Sequence, residues 1–220
     1  MEIILTGSTG RIGSAVLEQC LASPQITSIV AFSRRALPQA VQNPQLSVII
    51  IDDFLSYPDA ALDAIKRADG CIWSLGTYNW DKVAEVEYPE VFQKALARVL
   101  DGKKTFRYVY LGGAFTEHDQ TRSLWFLSKG RHIRGLAETN LLRFGKENPA
   151  AKVSIVKPAG ITGNNIVGKV IGNVSSLTVR IDTLAAVMVE LVVNGGEELV
   201  LNKMIVEKGA LLSKKAAGTA

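Results

Sequence analysis

The sequence predicts a doubly wound α/β domain built on a parallel sheet. Three observations carry this reading: short, nearly continuous apolar runs recur along the chain, patterns of helical period separate them, and the first run ends in a glycine-rich turn that opens directly into a helical pattern. Strands that are apolar on both sides must be covered on both sides, which the intervening helices do. Ligands of such a sheet bind beyond the carboxyl ends of its strands, so the residues directly after each run are the informative ones.

The elements follow in order. Strand character falls on "EIILT" (2–6), "SIVAF" (28–32), "LSVIII" (46–51), "GCIWSL" (70–75), "FRYVYL" (106–111) and "VSIVK" (153–157), and helical period on 11–22, 58–68, 84–101 and 124–147. A short insertion, "TGNNIVGKVIGNVSS" (162–176), follows the sixth strand, and the closing "KKAAGTA" reads as a frayed tail. There is no internal repeat. Residues 1–220 read as one domain, with 162–220 completing a substrate pocket.

With 220 residues, 47% of them apolar and 21% charged, the chain buries one full core. Its net charge of +4 is dispersed: Arg34-Arg35, Lys103-Lys104 and Lys214-Lys215 are isolated pairs, which disfavours a nucleic-acid groove. Cys20 and Cys71 read as small buried hydrophobes, consistent with a reducing compartment. Met1 leads straight into a strand, and the most apolar later segment, "LAAVMVELVV" (184–193), is short and contains Glu190. The expectation is a cytoplasmic protein with no membrane partner. Two histidines and two cysteines without motif spacing predict no metal site, and there is no G-x-S-x-G elbow.

The first strand ends in "TGSTGRIG", placing Gly7, Gly10 and Gly13 around Thr9, Arg11 and Ile12 at the mouth of the first helix. Glycine permits a tight turn and a close approach of pyrophosphate to backbone, and a helix amino terminus offers free N–H groups to that charge. This predicts a dinucleotide site. After the second strand come Ser33, Arg34 and Arg35, with no acidic residue between Glu18 and Asp52. A guanidinium pairs with a ribose 2′-phosphate that a carboxylate would repel, so NADP(H) is favoured over NAD(H). Asp53 and Phe54 follow the third strand, where they are candidates to meet the adenine or to serve as turn and core residues. Leu75, Gly76, Thr77 and Tyr78 follow the fourth, toward the reactive half of the cofactor.

Together "TGSTGRIG", "SRR", "SLGT", "SKG" and "KPAGITG" resemble an atypical short-chain dehydrogenase/reductase, especially the small NmrA-like and Tat-interacting-protein-like members and the fungal natural-product reductase-like proteins. The resemblance covers residues 1–163 well and the remainder loosely. It implies the Rossmann fold, a nicotinamide cofactor touched also by Pro158, Ala159, Gly160 and Ile161, a Ser/Thr-Tyr-Lys site, and helices 84–101 and 124–147 paired in a homodimer. Here the site departs from the pattern. The hydroxyl position falls on Gly112 or Gly113, the tyrosine position on Trp125, and only Lys129 remains, where the resemblance implies a contact to the nicotinamide ribose. Spacing i, i+4 on a helix would set Trp125 and Lys129 on one face, with Trp125 as an apolar wall of the substrate pocket. An indole does not titrate near neutrality, so Tyr78 and His118 become the candidate proton donors, either of which is equally read as a structural aromatic or a solvated loop residue.

Three functions fit these residues: an NADP(H)-dependent oxidoreductase with a non-standard proton donor acting on a small hydrophobic or aromatic molecule such as a natural-product intermediate, a non-redox isomerase or cyclase on the same fold, and a non-enzymatic NADP(H)-sensing regulator. The small and aliphatic residues of 164–189 suit an apolar substrate better than a nucleotide sugar.

Overall fold

The computed structural model describes residues 1–38, 40, 43–102, 105–163 and 177–218, without the side chains of 216 and 217. Its main sheet has seven strands, all parallel: β1 (Glu2–Thr6), β2 (Ser28–Ser33), β3 (Leu46–Ile50), β4 (Gly70–Trp73), β5 (Phe106–Leu111), β6 (Ala151–Lys157) and β9 (Leu199–Leu201). They lie in the order β3-β2-β1-β4-β5-β6-β9, so the winding reverses between β1 and β4. The doubly wound α/β fold expected from the sequence is the fold observed. A second sheet pairs β7 (Gly160–Thr162) with β8 (Thr178–Arg180).

Alternation along each strand sends successive apolar side chains to opposite faces. Ile3, Leu5, Ile29, Ala31, Ile72 and Val109 pack with α1 (Arg11–Ala22) and α5 (Ile181–Asn194). Ile4, Val30, Phe32, Trp73 and Tyr108 pack on the other face with α2 (Asp59–Arg67), α3 (Tyr88–Ala97) and α4 (Ser128–Glu147). Both faces are therefore core, and each fully buried side chain of this size contributes roughly 1.5–3 kcal/mol. The two cysteines are free and buried on opposite faces, and burial pushes the Cys20 thiol up to about 12.

The carboxyl-terminal third differs from the expectation. Between β8 and β9 the apolar stretch folds as helix α5, and α6 (Asn202–Gly218) carries helix through most of the presumed frayed tail. The expected helix 84–101 is a π-helical turn, Val83–Glu87, running into the shorter α3. Helix α4 begins at Ser128, four residues later than its apolar pattern suggested, because the chain through Leu124–Leu127 bends and Leu127 takes a left-handed φ of 46°. Most of the insertion, 164–176, lies outside the described residues. No helix among the described residues is long and apolar enough to cross a membrane.

Candidate functional site at the carboxyl ends of the strands

At the end of β1 the chain turns at Gly7, whose φ of 73° favours glycine; a Cβ there would stand 2.6 Å from the Ser74 carbonyl. The Gly10 amide donates to Gly7 O at 2.9 Å, and Ser74 Oγ donates to Thr6 O at 2.6 Å, which ties the turn to the end of β4. Gly13 seats α1 directly on the Gly7 backbone. Gly10 then N-caps α1 with no side-chain cap and no acid in the first turn, so the leading N–H groups face outward at the point where the winding reverses. Beside Gly10 a Cβ would meet only Gly7 O, at 3.2 Å, which leaves the outer surface of the turn open to a group read by backbone. Ser8 Oγ is buried here without a partner. Thr9 is exposed and Ile12 half-buried, while Arg11 reaches across to donate to Ile161 O at 3.4 Å, joining this turn to β7.

Arg34 and Arg35 stand exposed after β2, and the Arg35 amide donates to the buried Ser33 Oγ at 3.2 Å. Asp53 accepts from the Leu55 amide at 3.0 Å, a turn bond. Burial raises the Tyr88 hydroxyl, with the nearby Asp53 carboxylate adding to the effect and Arg34 opposing it. Phe54 does not meet the expectation of an adenine platform. At 1% exposure it is packed among Tyr57, Trp73 and Tyr88, with no open ring face.

Beyond β4 the sequence reading expects Thr77 and Tyr78 to project toward the reactive half of a cofactor. Thr77 is instead held by Glu85 of the π-helical turn: its amide donates to Glu85 Oε1 at 2.6 Å and its hydroxyl to the same oxygen at 3.2 Å. Glu85 is buried, and its other oxygen lies 3.5 Å from Arg134 Nε, while Arg134 Nη2 donates to Thr77 O at 3.4 Å. Arg134 Nη1 would lie 3.6 Å from a Cβ at Gly113. Arg134 therefore joins the segment after β4 to the end of β5. Lys129 is exposed on the first turn of α4, and Trp125, 97% exposed, precedes the helix, so the shared-face argument for these two residues does not hold. Tyr78 is 92% exposed. Trp80 lays its indole against Gly130, filling the space that a side chain at 130 would take. His132 meets Ser128 Oγ through Nδ1 at 3.3 Å.

Beyond β5 and β6 lies a second polar group that sequence reasoning largely missed. Glu138 of α4 is 0% exposed, and its Oε2 accepts from Lys157 Nζ at 2.5 Å, from His118 Nε2 at 2.8 Å and from Thr116 Oγ1 at 2.9 Å. Lys157, the last residue of β6, also donates to Thr116 Oγ1. Glu138 Oε1 has no partner and would stand 2.5 Å from a Cβ at Gly112. That contact explains the glycine where the resemblance expects a hydroxyl. The Glu117 backbone crosses directly over Gly135, which brings the 116–118 loop down onto α4. Tyr110, on β5, lies within electrostatic reach of both polar groups. Burial, then Glu85, then Glu138 raise its hydroxyl, and Arg134 opposes them, so it stays a neutral phenol across the physiological range. Asp119, the sequence neighbour of His118, is engaged elsewhere: bonds from Thr121 hold its carboxyl below the usual range.

The missed residues carried weak signals. Glu85 and Glu138 are acids within helical patterns whose neighbours are apolar, and Lys157 ends an otherwise apolar strand. A charge in such a place is either solvated or paired, and the sequence does not name the partner.

No family model matches the chain. It is 32% identical over 167 residues to leucinostatins biosynthesis cluster protein T of Purpureocillium lilacinum; the match takes in 73% of this chain and spans only 58% of that relative. Among solved structures the fold is similar to the reductase domain of PhqB from Penicillium fellutanum, with a TM-score of 0.68 at 15% identity over 90% of this chain and 65% of that one. Gre2 of Candida albicans, solved in complex with NADPH, gives 0.69 at 16% identity over 91% and 77%. The oxidoreductase ylbE of Lactococcus lactis gives 0.67 at 19% over 97% of each chain. The chain thus has the Rossmann fold of these solved structures.

Proposed function

We propose that this chain is an NADP(H)-dependent oxidoreductase of the short-chain type acting on a small hydrophobic or aromatic molecule. The observation that carries the reading is the cradle of Gly7, Gly10 and Gly13, which opens an uncapped helix amino terminus at the reversal between β1 and β4. Pyrophosphate fits that cradle by charge and by backbone approach. Arg34 and Arg35, exposed after β2, would take the 2′-phosphate. The Pro158–Ile161 stretch follows Lys157 at the end of β6, with Ile161 O accepting from Arg11 of the glycine turn, and would border the cofactor. When bound, the nicotinamide supplies the hydride, and the protein's part is to orient both reactants and manage the proton. Likeness to a protein of a biosynthesis cluster supports a natural-product intermediate as substrate. The NmrA-like affiliation and a homodimer belong to this reading.

One observation favours a second reading. Gly112 and Gly113 offer no hydroxyl to a carbonyl, which suits an isomerase or a cofactor sensor on the same fold. Oxidation of NADPH, followed at 340 nm with benzaldehyde, cinnamaldehyde and decanal, separates the two. The oxidoreductase reading predicts turnover that falls at least tenfold at fixed NADPH in the Arg34→Ala/Arg35→Ala variant. Tight binding of NADPH with no turnover of any carbonyl would favour the second.

A further inference from the structure

We infer that His118 delivers the proton in this reaction, and that the buried pair Glu138–Lys157, with Thr116, is the set of positioning residues that fixes its ring. The inference rests on the oxidoreductase reading and deepens it. The oxygen Glu138 Oε2 gathers three donors while the carboxylate itself is sealed from solvent, so of the four residues His118, with 41% of its side chain open, is the one placed to exchange a proton with a ligand. Lys157 is nine-tenths buried. A carboxylate that accepts from Nε2 fixes the neutral ring as the Nε2–H tautomer and leaves the Nδ1 lone pair free to face a ligand. Nδ1 has no hydrogen-bond partner among the described residues.

The location also matches. Thr116 and His118 lie on the loop that leaves β5 after Gly112 and Gly113, Lys157 leads into Pro158, and Tyr110 links this group electrostatically to the Arg134 side of the cleft. These are the ends of the strands toward which the reactive half of a dinucleotide held at Gly7–Gly13 must extend. At the expected hydroxyl and tyrosine positions Gly112 has no side chain and Trp125 carries an indole that does not titrate near neutrality.

In the proposed step the carbonyl carbon would accept a hydride with the electron pair of a breaking C–H bond of NADPH, and the C=O π pair moves to oxygen. The Nδ1–H bond of the His118 imidazolium breaks, its proton goes to that oxygen, and the electron pair stays on Nδ1. The carbonyl is reduced to an alcohol, NADPH is oxidised to NADP⁺, and the ring regains its proton from water while Nε2–H remains on Glu138.

Two readouts test this on the full chain. In ¹⁵N-histidine NMR, with His118 and His132 distinguished by a His132→Asn variant, the neutral His118 ring is expected as a single Nε2–H tautomer. In Glu138→Leu/Lys157→Met, which removes the buried charges together, the two tautomers should exchange, while NADPH affinity stays within about twofold. A wild-type ring that is Nδ1–H or tautomerically averaged overturns the proposal. In the carbonyl assay His118→Ala should lower kcat by about 10²-fold or more, the ordinary scale of a lost general acid, and added imidazole should restore at least tenfold. Undiminished turnover in His118→Ala overturns this assignment alone. Failure to bind NADPH, or binding without reduction of any carbonyl, overturns the oxidoreductase reading and this one with it.

Discussion

Replacing Lys157 by Met keeps the length of the side chain and removes its charge from a carboxylate that has no access to water. The Nζ lost is the donor at 2.5 Å from Glu138 Oε2, and it leaves Thr116 and His118 as the remaining donors. Removing one partner of a buried pair costs about 3–5 kcal/mol; with two donors retained the loss should fall near the lower end, about 3 kcal/mol. Glu138→Leu strands the ammonium with only Thr116 to meet it, so its loss should lie nearer the upper end of the same range. The double variant leaves neither charge alone, and the two losses should fall short of adding by more than ~2 kcal/mol. Urea unfolding at pH 7, followed by far-UV circular dichroism, measures all three, and for a domain of this size 3 kcal/mol corresponds to roughly 6–12 °C in Tm. A loss under about 1 kcal/mol for Lys157→Met, or strict additivity, would refute the argument that this is a charged pair held out of water.

Other substitutions test separate parts of the site. Gly7→Ala places a Cβ against the Ser74 carbonyl in a left-handed conformation, so thermal melting should show a loss above ~2 kcal/mol and calorimetry a loss of NADPH binding. Gly112→Ser restores the hydroxyl that the resemblance expects but drives it into Glu138 Oε1; it should destabilise by ~1–3 kcal/mol and fail to raise carbonyl turnover. Trp125→Ala should leave stability within ~0.5 kcal/mol, because the indole is exposed, and should raise KM with little change in kcat.

How much of this was legible depended on whether the signal was local. The first six strands of the sheet, the glycine turn and the first helix were readable because period and turn chemistry are written in neighbouring residues, as in "EIILTGSTGRIG". Strand β9 has three residues and an equally short neighbour pairing, below what periodicity resolves, and the apolar stretch of α5 is as compatible with a buried strand as with a buried helix. The start of α4 was misplaced because "LWFL" continues a helical apolar pattern that the fold leaves in solvent. That error carried the shared face of Trp125 and Lys129 with it. Arg134, four residues before Glu138, and the Glu138 group were hidden for another reason: their meaning lies in partners 19, 20 and 22 residues from Glu138 and, for Arg134, 57 from it, which only the folded chain brings together. His118 meets Glu138, a residue of α4 that nothing in the neighbouring sequence points to.

The central claim is that the cradle at Gly7–Gly13 and the arginines after β2 hold a phosphorylated nicotinamide dinucleotide. Isothermal titration of the unmodified protein with NADPH and with NADH under identical salt tests it most directly. Two charge-assisted contacts to a 2′-phosphate, each contributing about 1.5–3 kcal/mol, predict NADPH binding tighter than NADH by about 10²-fold or more. Equal affinity for the two would contradict the role of Arg34 and Arg35, and heats of dilution alone for both would contradict the claim as a whole.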